Sequence, residues 1–209
     1  MNPAKRIFDL TMVLLLGVLL SPLILLICVV LLLAEGRPVF YIAERMATPT
    51  RAFGLIKFRT MRPDPDPDSG GGGVTGGDKS ARMSPLHRLL RRSRADELPQ
   101  IWNVIHGDMS LVGPRPPLRV YVQSFPALYA QVLRSRPGVT GLASLVFHAH
   151  EERLLAACKT AAETDAAYRQ RCVPRKARLD LIYQKRRTLC FDLMIVLQTA
   201  AKPFRNGRE

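Results

Sequence analysis

Two acids, Asp96 and Glu97, stand side by side in the run RSRADELPQIWN (92–103), beneath Arg91, Arg92 and Arg94. Consecutive residues on a helix point about 100° apart, so the pair cannot share one proton as a facing dyad would. The two can instead do different jobs around one site. A carboxylate kept ionised attacks phosphorus directly and forms an acyl phosphate. A second carboxylate holds Mg²⁺, which takes one or two carboxylates plus substrate phosphates. Guanidinium groups hold phosphate oxygens. The set suits phosphoryl transfer from a diphosphate donor. The structural alternative is a cap: Asp96 precedes ELPQIWNVI as an N-cap or first-turn residue, with Pro99 in the first turn. Such a helix start attracts phosphate and lowers carboxylate pKa values.

Downstream, GDMSLVGPRPP adds Asp108 and a stiff turn that presents Arg115 between Pro114 and Pro116. Flanking prolines lower the entropy cost of holding that guanidinium ready. RSRPGVTGLASLVFHAH then places Arg136 ahead of Pro137-Gly138, with further glycine at 141. These glycines suit a tight backbone near a ligand, or turns alone. A metal pair at His148 and His150 lacks an evident third ligand.

The elements that must position these groups begin with an uncharged run from Leu10 to Ala34. It is long enough to cross a hydrocarbon core of about 30 Å. It is too long for a cleaved leader, so it reads as a retained membrane segment. Ser21-Pro22 stands near its middle, where Pro22 removes a donor and crowds the Val18 carbonyl. Lys5 and Arg6 precede the run, and Arg37 and Arg45 follow it. Positive charge favours the cytoplasmic side, and here both ends carry it. A helix broken at Ser21-Pro22 that returns to the same face satisfies both ends, with the Ser21 hydroxyl meeting freed backbone. A Pro-kinked span is the competing reading.

Beyond it, Val39–Ile42 and Ala52–Phe58 have β patterns and can pair across ATPTR. Residues 63–80, rich in Pro, Asp and Gly, read as a mobile loop. Within it, DPDPDSG fails as an EF-hand and GGVTGGDKS fails as a P-loop by residue spacing. PLHRLLRRSR has a helical period, LRVYVQSFPALYAQVLRS a helix interrupted at Pro126, and HEERLLAACKTAAETDAAYRQRC a longer helix. PRKARLDLIYQKRR and LCFDLMIVLQTAAK read as a basic and an apolar amphipathic helix of the kind that lies at a membrane surface, or as a solvated face over a core. The division expected is a membrane segment 1–36, a catalytic domain 37–201 and a tail 202–209.

The chain has 209 residues and 31 Lys+Arg against 17 Asp+Glu, a net charge of +14. That favours polyanions: nucleic acid, anionic lipid or phosphorylated substrate. Aromatic content of 7% is thin for a single-strand stacking surface. The cysteines, Cys28, Cys158, Cys172 and Cys190, form no CxxC pair and suggest neither zinc nor a disulfide framework.

Taken together, KRIFDL, the Ser-Pro inside the apolar run, KFRTM, DELPQIWNV, GDMSLVGPRP, RPGVTG and FDLMIVLQT resemble, in order and spacing, the bacterial sugar transferase family of monotopic polyprenyl-phosphate phosphoglycosyl transferases. The length resembles the minimal catalytic form. The resemblance implies an α+β, mainly helical monotopic membrane protein with a re-entrant helix broken at Ser21-Pro22, a small β element and amphipathic interfacial helices. It implies transfer of a sugar 1-phosphate from a UDP-sugar to polyprenyl phosphate, undecaprenyl phosphate above all, with release of UMP. Asp96 matches the family's nucleophile and Glu97 the residue associated with Mg²⁺, to which Asp96 is also assigned. Arg115 matches the arginine near the phosphate and nucleotide, and Arg91 an upstream arginine that reaches the site. Lys57 and Arg59 of KFRTM, Arg136 of RPGVTG and His148 complete the expected substrate-binding set. LASLVFHAH departs from the family: His148 falls near a donor-side arginine and is read either as a protonated substitute for it or as an ordinary histidine in a loop or strand. The expected setting is the cytoplasmic face of the bacterial inner membrane, among anionic lipids, without nucleic acid and with a homodimer left open. A non-catalytic basic adaptor at the membrane is the alternative, and it makes no demand for the acid pair beside Pro-Arg-Pro.

Overall fold

The structure, a computed structural model, describes residues 2–61 and 83–205, with side chains described to Ala201. The loop expected at 63–80, with both motif look-alikes, lies outside those residues. The fold is mainly helical with small sheet elements. In order come α1 (Pro3–Glu35), β1 (Phe40–Met46), β2 (Ala52–Phe58), α2 (Pro85–Ser93), a 3₁₀ helix (Ala95–Gln100), α3 (Ile101–His106), β3 (Ser110–Val112), α4 (Arg119–Ser124), α5 (Pro126–Val132), β4 (Gly138–Thr140), α6 (Leu142–Ala156), α7 (Ala161–Ala167), a π turn (Tyr168–Cys172), α8 (Val173–Arg186) and α9 (Leu189–Arg205).

The hairpin forms as expected, with Phe40 opposite Phe58 and Met46 opposite Ala52. β1 extends past Ile42 because Ala43 and Met46 turn inward, a period hidden by Glu44 and Arg45. The helix interrupted at Pro126 is also found, as α4 and α5. The long alanine-rich helix divides instead. Thr160 accepts from Glu163 N at 3.1 Å and Lys159 N donates to Glu163 at 2.9 Å. Thr-x-x-Glu is a helix-start signature, and it begins a new helix there. β3 and β4 pair in parallel, Ser110 with Gly138 and Val112 with Thr140, a sheet too short to show a period in the sequence. The α9 backbone continues through Arg205, into the stretch assigned to a tail.

Among the described residues, α1 is the helix long and apolar enough to cross a membrane. Its helical backbone runs through Pro22 without the expected interruption. Ser21 Oγ donates to Val18 O at 2.8 Å, which satisfies the carbonyl four residues before Pro22. One stripe, with Val13, Ile27 and Leu31, is buried on the folded body, while Leu15, Val18, Leu19 and Leu33 are exposed. An apolar flank of this kind supports association with a membrane.

Both ends of α1 are fastened to that body. Arg6 donates to the Val104 and Ile105 carbonyls that end α3, at 2.7 and 2.9 Å. Arg59 donates to the Glu35 and Gly36 carbonyls that end α1, at 2.9 and 3.1 Å. Lys5 Nζ lies 2.8 Å from Asp9 and 2.8 Å from Asp192 of α9, all three buried. Ser110 of β3 donates to Asp9 at 2.7 Å, and Tyr183 of α8 lies 2.6 Å from Asp192. Four elements thus converge on one ammonium. Removing one member of a buried ion cluster strands the rest, at about 3–5 kcal/mol. Lys5→Met is expected to lower stability by about that much. Thermal unfolding in detergent checks it, and a midpoint equal to wild type would show the cluster to be dispensable.

Candidate active site

The acids lie in a 3₁₀ helix whose entry is set by Arg94, which has φ 60°, a left-handed conformation uncommon for a residue with a side chain. The chain leaves α2 there and turns sharply into Ala95. Asp96 and Glu97 therefore occupy the first turn of a 3₁₀ helix, not the cap of α3, and Pro99 lies past that first turn, inside the same 3₁₀ helix. Asn103 fixes the turn against the hairpin. It accepts from Ile56 N at 3.0 Å and donates to Gly54 O at 2.7 Å, holding β2 and so Lys57 beside Glu97.

Glu97 is the electrostatic centre. Its carboxylate accepts from Arg115 at 2.7 Å, Lys57 at 3.1 Å and Arg94 at 3.4 Å. Burial works to raise its pKa. The opposing field of Arg115 and Lys57, with the Arg115 hydrogen bond and Arg94, prevails and holds the carboxyl well below the usual range. Arg115 is raised in turn, chiefly by Glu97. Burial lowers the Lys57 ammonium against the pull of Glu97.

Asp96 is buried as well, yet shifts the other way. Burial and then the Glu97 charge raise its pKa, and Lys57, Arg91 and Arg115 only partly offset them. Depression of this acid by a helix start, an expectation from the sequence, does not prevail. Asp96 makes no ion pair among the described residues. Of two adjacent buried acids, one is thus ion-paired three times and the other not at all among the described residues.

Both open on a cavity of about 940 Å³, lined also by Arg91, Lys57, Arg59, Arg115 and His148. Arg91 Nε donates to Thr60 at 2.9 Å, which steadies that guanidinium at the rim. The structure therefore gathers Asp96, Glu97, Arg91, Lys57, Arg59, Arg115 and His148. Arg136 is placed elsewhere: its guanidinium lies beside Gly107 and Arg6, away from the cavity lining. Ser21 and Pro22 lie on α1, outside the lining.

LASLVFHAH, read as loop or strand, is the start of α6. Nε2 of His148 lies 2.6 Å from Arg94 and 3.2 Å from Glu152. The two contacts place the His148 ring between the Arg94 guanidinium and a carboxylate of its own helix. His150 contacts Arg175 at 3.1 Å, and the described residues hold no cluster of three His, Cys, Asp or Glu side chains able to bind a metal.

The glycines explain how Arg115 is held. A Cβ on Gly113, Gly138 or Gly141 would collide with the facing backbone of this same group. Gly113 N donates to Thr140 O at 2.9 Å and Gly138 N to Pro114 O at 2.8 Å, so the turn bearing Arg115 is pinned directly to β4. Sequence reasoning missed Thr60, Arg45, Glu151 and Lys176, which also line the cavity. Arg45 reads as a membrane flank and Glu151 and Lys176 as helix surface; no local pattern marks them.

With this geometry established, the comparisons are specific. The model of the family described as bacterial sugar transferase matches residues 1–206. The chain belongs to that family. Over 147 residues it is 38% identical to the uncharacterized sugar transferase EpsL of Bacillus subtilis (strain 168), covering 68% of this chain and 67% of that protein. Over 198 residues it is 33% identical to the UDP-glucose:undecaprenyl-phosphate glucose-1-phosphate transferase of Caulobacter vibrioides, covering 93% and 67%. Over 186 residues it is 32% identical to the UDP-N-acetylgalactosamine-undecaprenyl-phosphate N-acetylgalactosaminephosphotransferase of Aeromonas hydrophila, covering 87% of this chain but 39% of that relative.

In this sugar transferase, Glu97 contributes stability above its unfolded value of about 4.3, withdrawn only as pH falls through its lower folded value. Asp96 has the opposite sign: its contribution is present below about 3.9 and lost as pH rises through its raised value. Glu97→Gln leaves Lys57 and Arg115 uncompensated. It is expected to cost about 3 kcal/mol at pH 7, the lower end for a broken buried pair because Arg115 and Arg94 stay partly solvated. The loss should shrink as pH is lowered through the Glu97 value; thermal unfolding against pH measures it, and a pH-independent loss would assign the stability elsewhere.

Proposed function

We propose that this sugar transferase moves a sugar 1-phosphate from a UDP-sugar to a polyprenyl phosphate, releasing UMP, through a phosphosugar carried on Asp96. The observation that carries this reading is the asymmetry of the acid pair: Glu97 bound by three cations, Asp96 buried in the same cavity without an ion pair among the described residues. In the first step an Asp96 oxygen attacks the β-phosphorus. A bond forms between that oxygen and phosphorus, the bond to the α-phosphate oxygen breaks, and UMP leaves with the electron pair. Arg115 and Lys57 meet the charge on the leaving phosphate. In the second step an oxygen of polyprenyl phosphate attacks the same phosphorus and frees the Asp96 carboxylate. The product is a polyprenyl diphosphate sugar, the opening unit for exopolysaccharide or another glycan.

Asp96 and Glu97 are the carboxylates that would hold Mg²⁺ in the cavity, whose lining also includes Glu151 and Glu152. Two adjacent acids fit an ion whose remaining sites are filled by water and substrate phosphates. Bound there, Mg²⁺ supplies charge neutralisation for the diphosphate. The chain's own contribution is to hold Arg115 and Lys57 on Glu97 until substrate phosphate competes for them.

The same proposal places the cavity at the cytoplasmic face of the bacterial inner membrane, with both ends of α1 on that face. The attachment of both α1 ends to one folded body supports it. Residues 5–13 pack on α9 and β3, and residues 27–36 on β2 and α2. A span with opposed ends would pull part of that body, with its cations, through the bilayer.

Asp96→Asn should reduce UMP release by at least 10³-fold, the scale for loss of a covalent nucleophile, while leaving membrane association intact. Purified protein with Mg²⁺, undecaprenyl phosphate and a panel of UDP-sugars measures it; near-wild-type release would remove Asp96 as nucleophile. For topology, single cysteines at Asn2 and Arg37 in a cysteine-free chain should both react with an impermeant maleimide added to inverted vesicles. Protection of one of them alone would make α1 a span.

A further inference from the structure

A second cavity of about 210 Å³ lies behind the first, and Arg45, Arg115, Glu151 and Lys176 line both. Its other walls include Tyr121, Tyr129, Tyr168 and Asp180. Lys176 Nζ closes part of the partition, bonded to both Glu151 oxygens at 3.0 and 3.1 Å and to the Tyr168 hydroxyl at 3.2 Å. Asp180 is the anomaly. It is 8% exposed, and its Oδ1 has no hydrogen-bond partner among the described residues. A buried carboxyl oxygen without a donor is costly and calls for a partner that is absent from the chain itself.

We propose that this annex seats the sugar of the nucleoside diphosphate sugar, with Asp180 accepting a hydrogen bond from a sugar hydroxyl. The inference rests on the transferase reading above and adds the donor's sugar subsite to it. Three observations converge. In the transfer proposed above Arg115 meets the diphosphate, and Arg115 lines both chambers, so a group carried on that diphosphate stands at the annex entrance. The annex is about a quarter the volume of the main cavity, which suits one ring and leaves the larger space for nucleotide and lipid phosphate. Its walls combine tyrosine rings with a carboxyl that lacks a donor, and a sugar supplies hydroxyl donors together with an apolar ring face. Burial also pushes the Asp180 carboxyl up to about 7, against the pull of Lys176, as befits an acid whose charged form has not been given its hydrogen bonds.

The test is binding by the full chain in nanodiscs, by calorimetry, with UDP-glucose, UDP-galactose, UDP-N-acetylglucosamine, UDP-N-acetylgalactosamine and, as the sugarless probe, UDP. Wild type should bind at least one UDP-sugar more tightly than UDP. Asp180→Ala should weaken that UDP-sugar about tenfold or more, the scale of a hydrogen bond to a charged group, and leave UDP unchanged. Asp180→Leu keeps much of the volume, removes the acceptor, and decides by the same criterion if the alanine variant does not fold. Equal weakening of UDP and UDP-sugar would put the nucleotide in the annex, and no weakening would leave it a water pocket; either overturns the proposal. Wild-type UMP release in the same preparation separates the two failures: turnover with an inert Asp180 refutes the sugar subsite alone, whereas no turnover and no binding across the panel refutes the transferase reading and the subsite with it.

Discussion

An ammonium sealed between two carboxylates, Lys5 between Asp9 and Asp192, underlies the rest of the structure. Each buried member of the cluster has its partner in the others, so removing one leaves the rest unpaired. Ser110 completes Asp9 and Tyr183 completes Asp192, so one charge cluster fixes the first turns of α1 to the start of β3, to α8 and to α9. Residues more than a hundred apart in sequence are thereby held in one frame.

That frame reaches the charged groups of the cavity through a short path. β3 begins at Ser110 and runs into Gly113 and Pro114, whose backbone is bonded to β4. Arg115 follows immediately and binds Glu97. The Tyr183 hydroxyl also lies 3.1 Å from Val112 O, one step before the same turn. From the other side Asn103 ties the hairpin to α3, which sets Lys57 against Glu97. Two independent supports thus converge on one carboxylate. The membrane helix is part of this scaffold, since its first turns carry Lys5 and Arg6 and its last carbonyls receive Arg59.

Much of this was legible where chemistry is local. The acid pair, the Pro-Arg-Pro turn, the hairpin, α2, the break at Pro126 and the role of the Ser21 hydroxyl all follow from adjacent residues. What was not legible depends on distant partners. No period marks β3 and β4, because three residues apiece give no alternation. Arg136 lies beside a Pro-Gly pair that resembles a ligand loop, yet the glycines serve backbone contact and the guanidinium turns toward Arg6. His148 reads either as a protonated substitute for an arginine or as an ordinary histidine, and its contact with Arg94, 54 residues away in sequence, is marked by no local pattern. Lys176 and Asp180 read as one basic helix surface until folding places that face against the cavities.

The adjacent acids show why a strongly basic chain still needs buried carboxylates. A lone acid among Lys57, Arg91, Arg94 and Arg115 would be ion-paired by them. Glu97 takes up Lys57, Arg94 and Arg115, and its own charge acts with burial to raise Asp96. The preceding residue is therefore left without an ion pair among the described residues, one peptide unit from a carboxylate that has three. Under the proposed transfer, a diphosphate entering the cavity would compete with Glu97 for those cations, not with Asp96. The cost of assembling the cluster is met in folding, so in that reaction the substrate would meet organised positive charge that Asp96 does not hold.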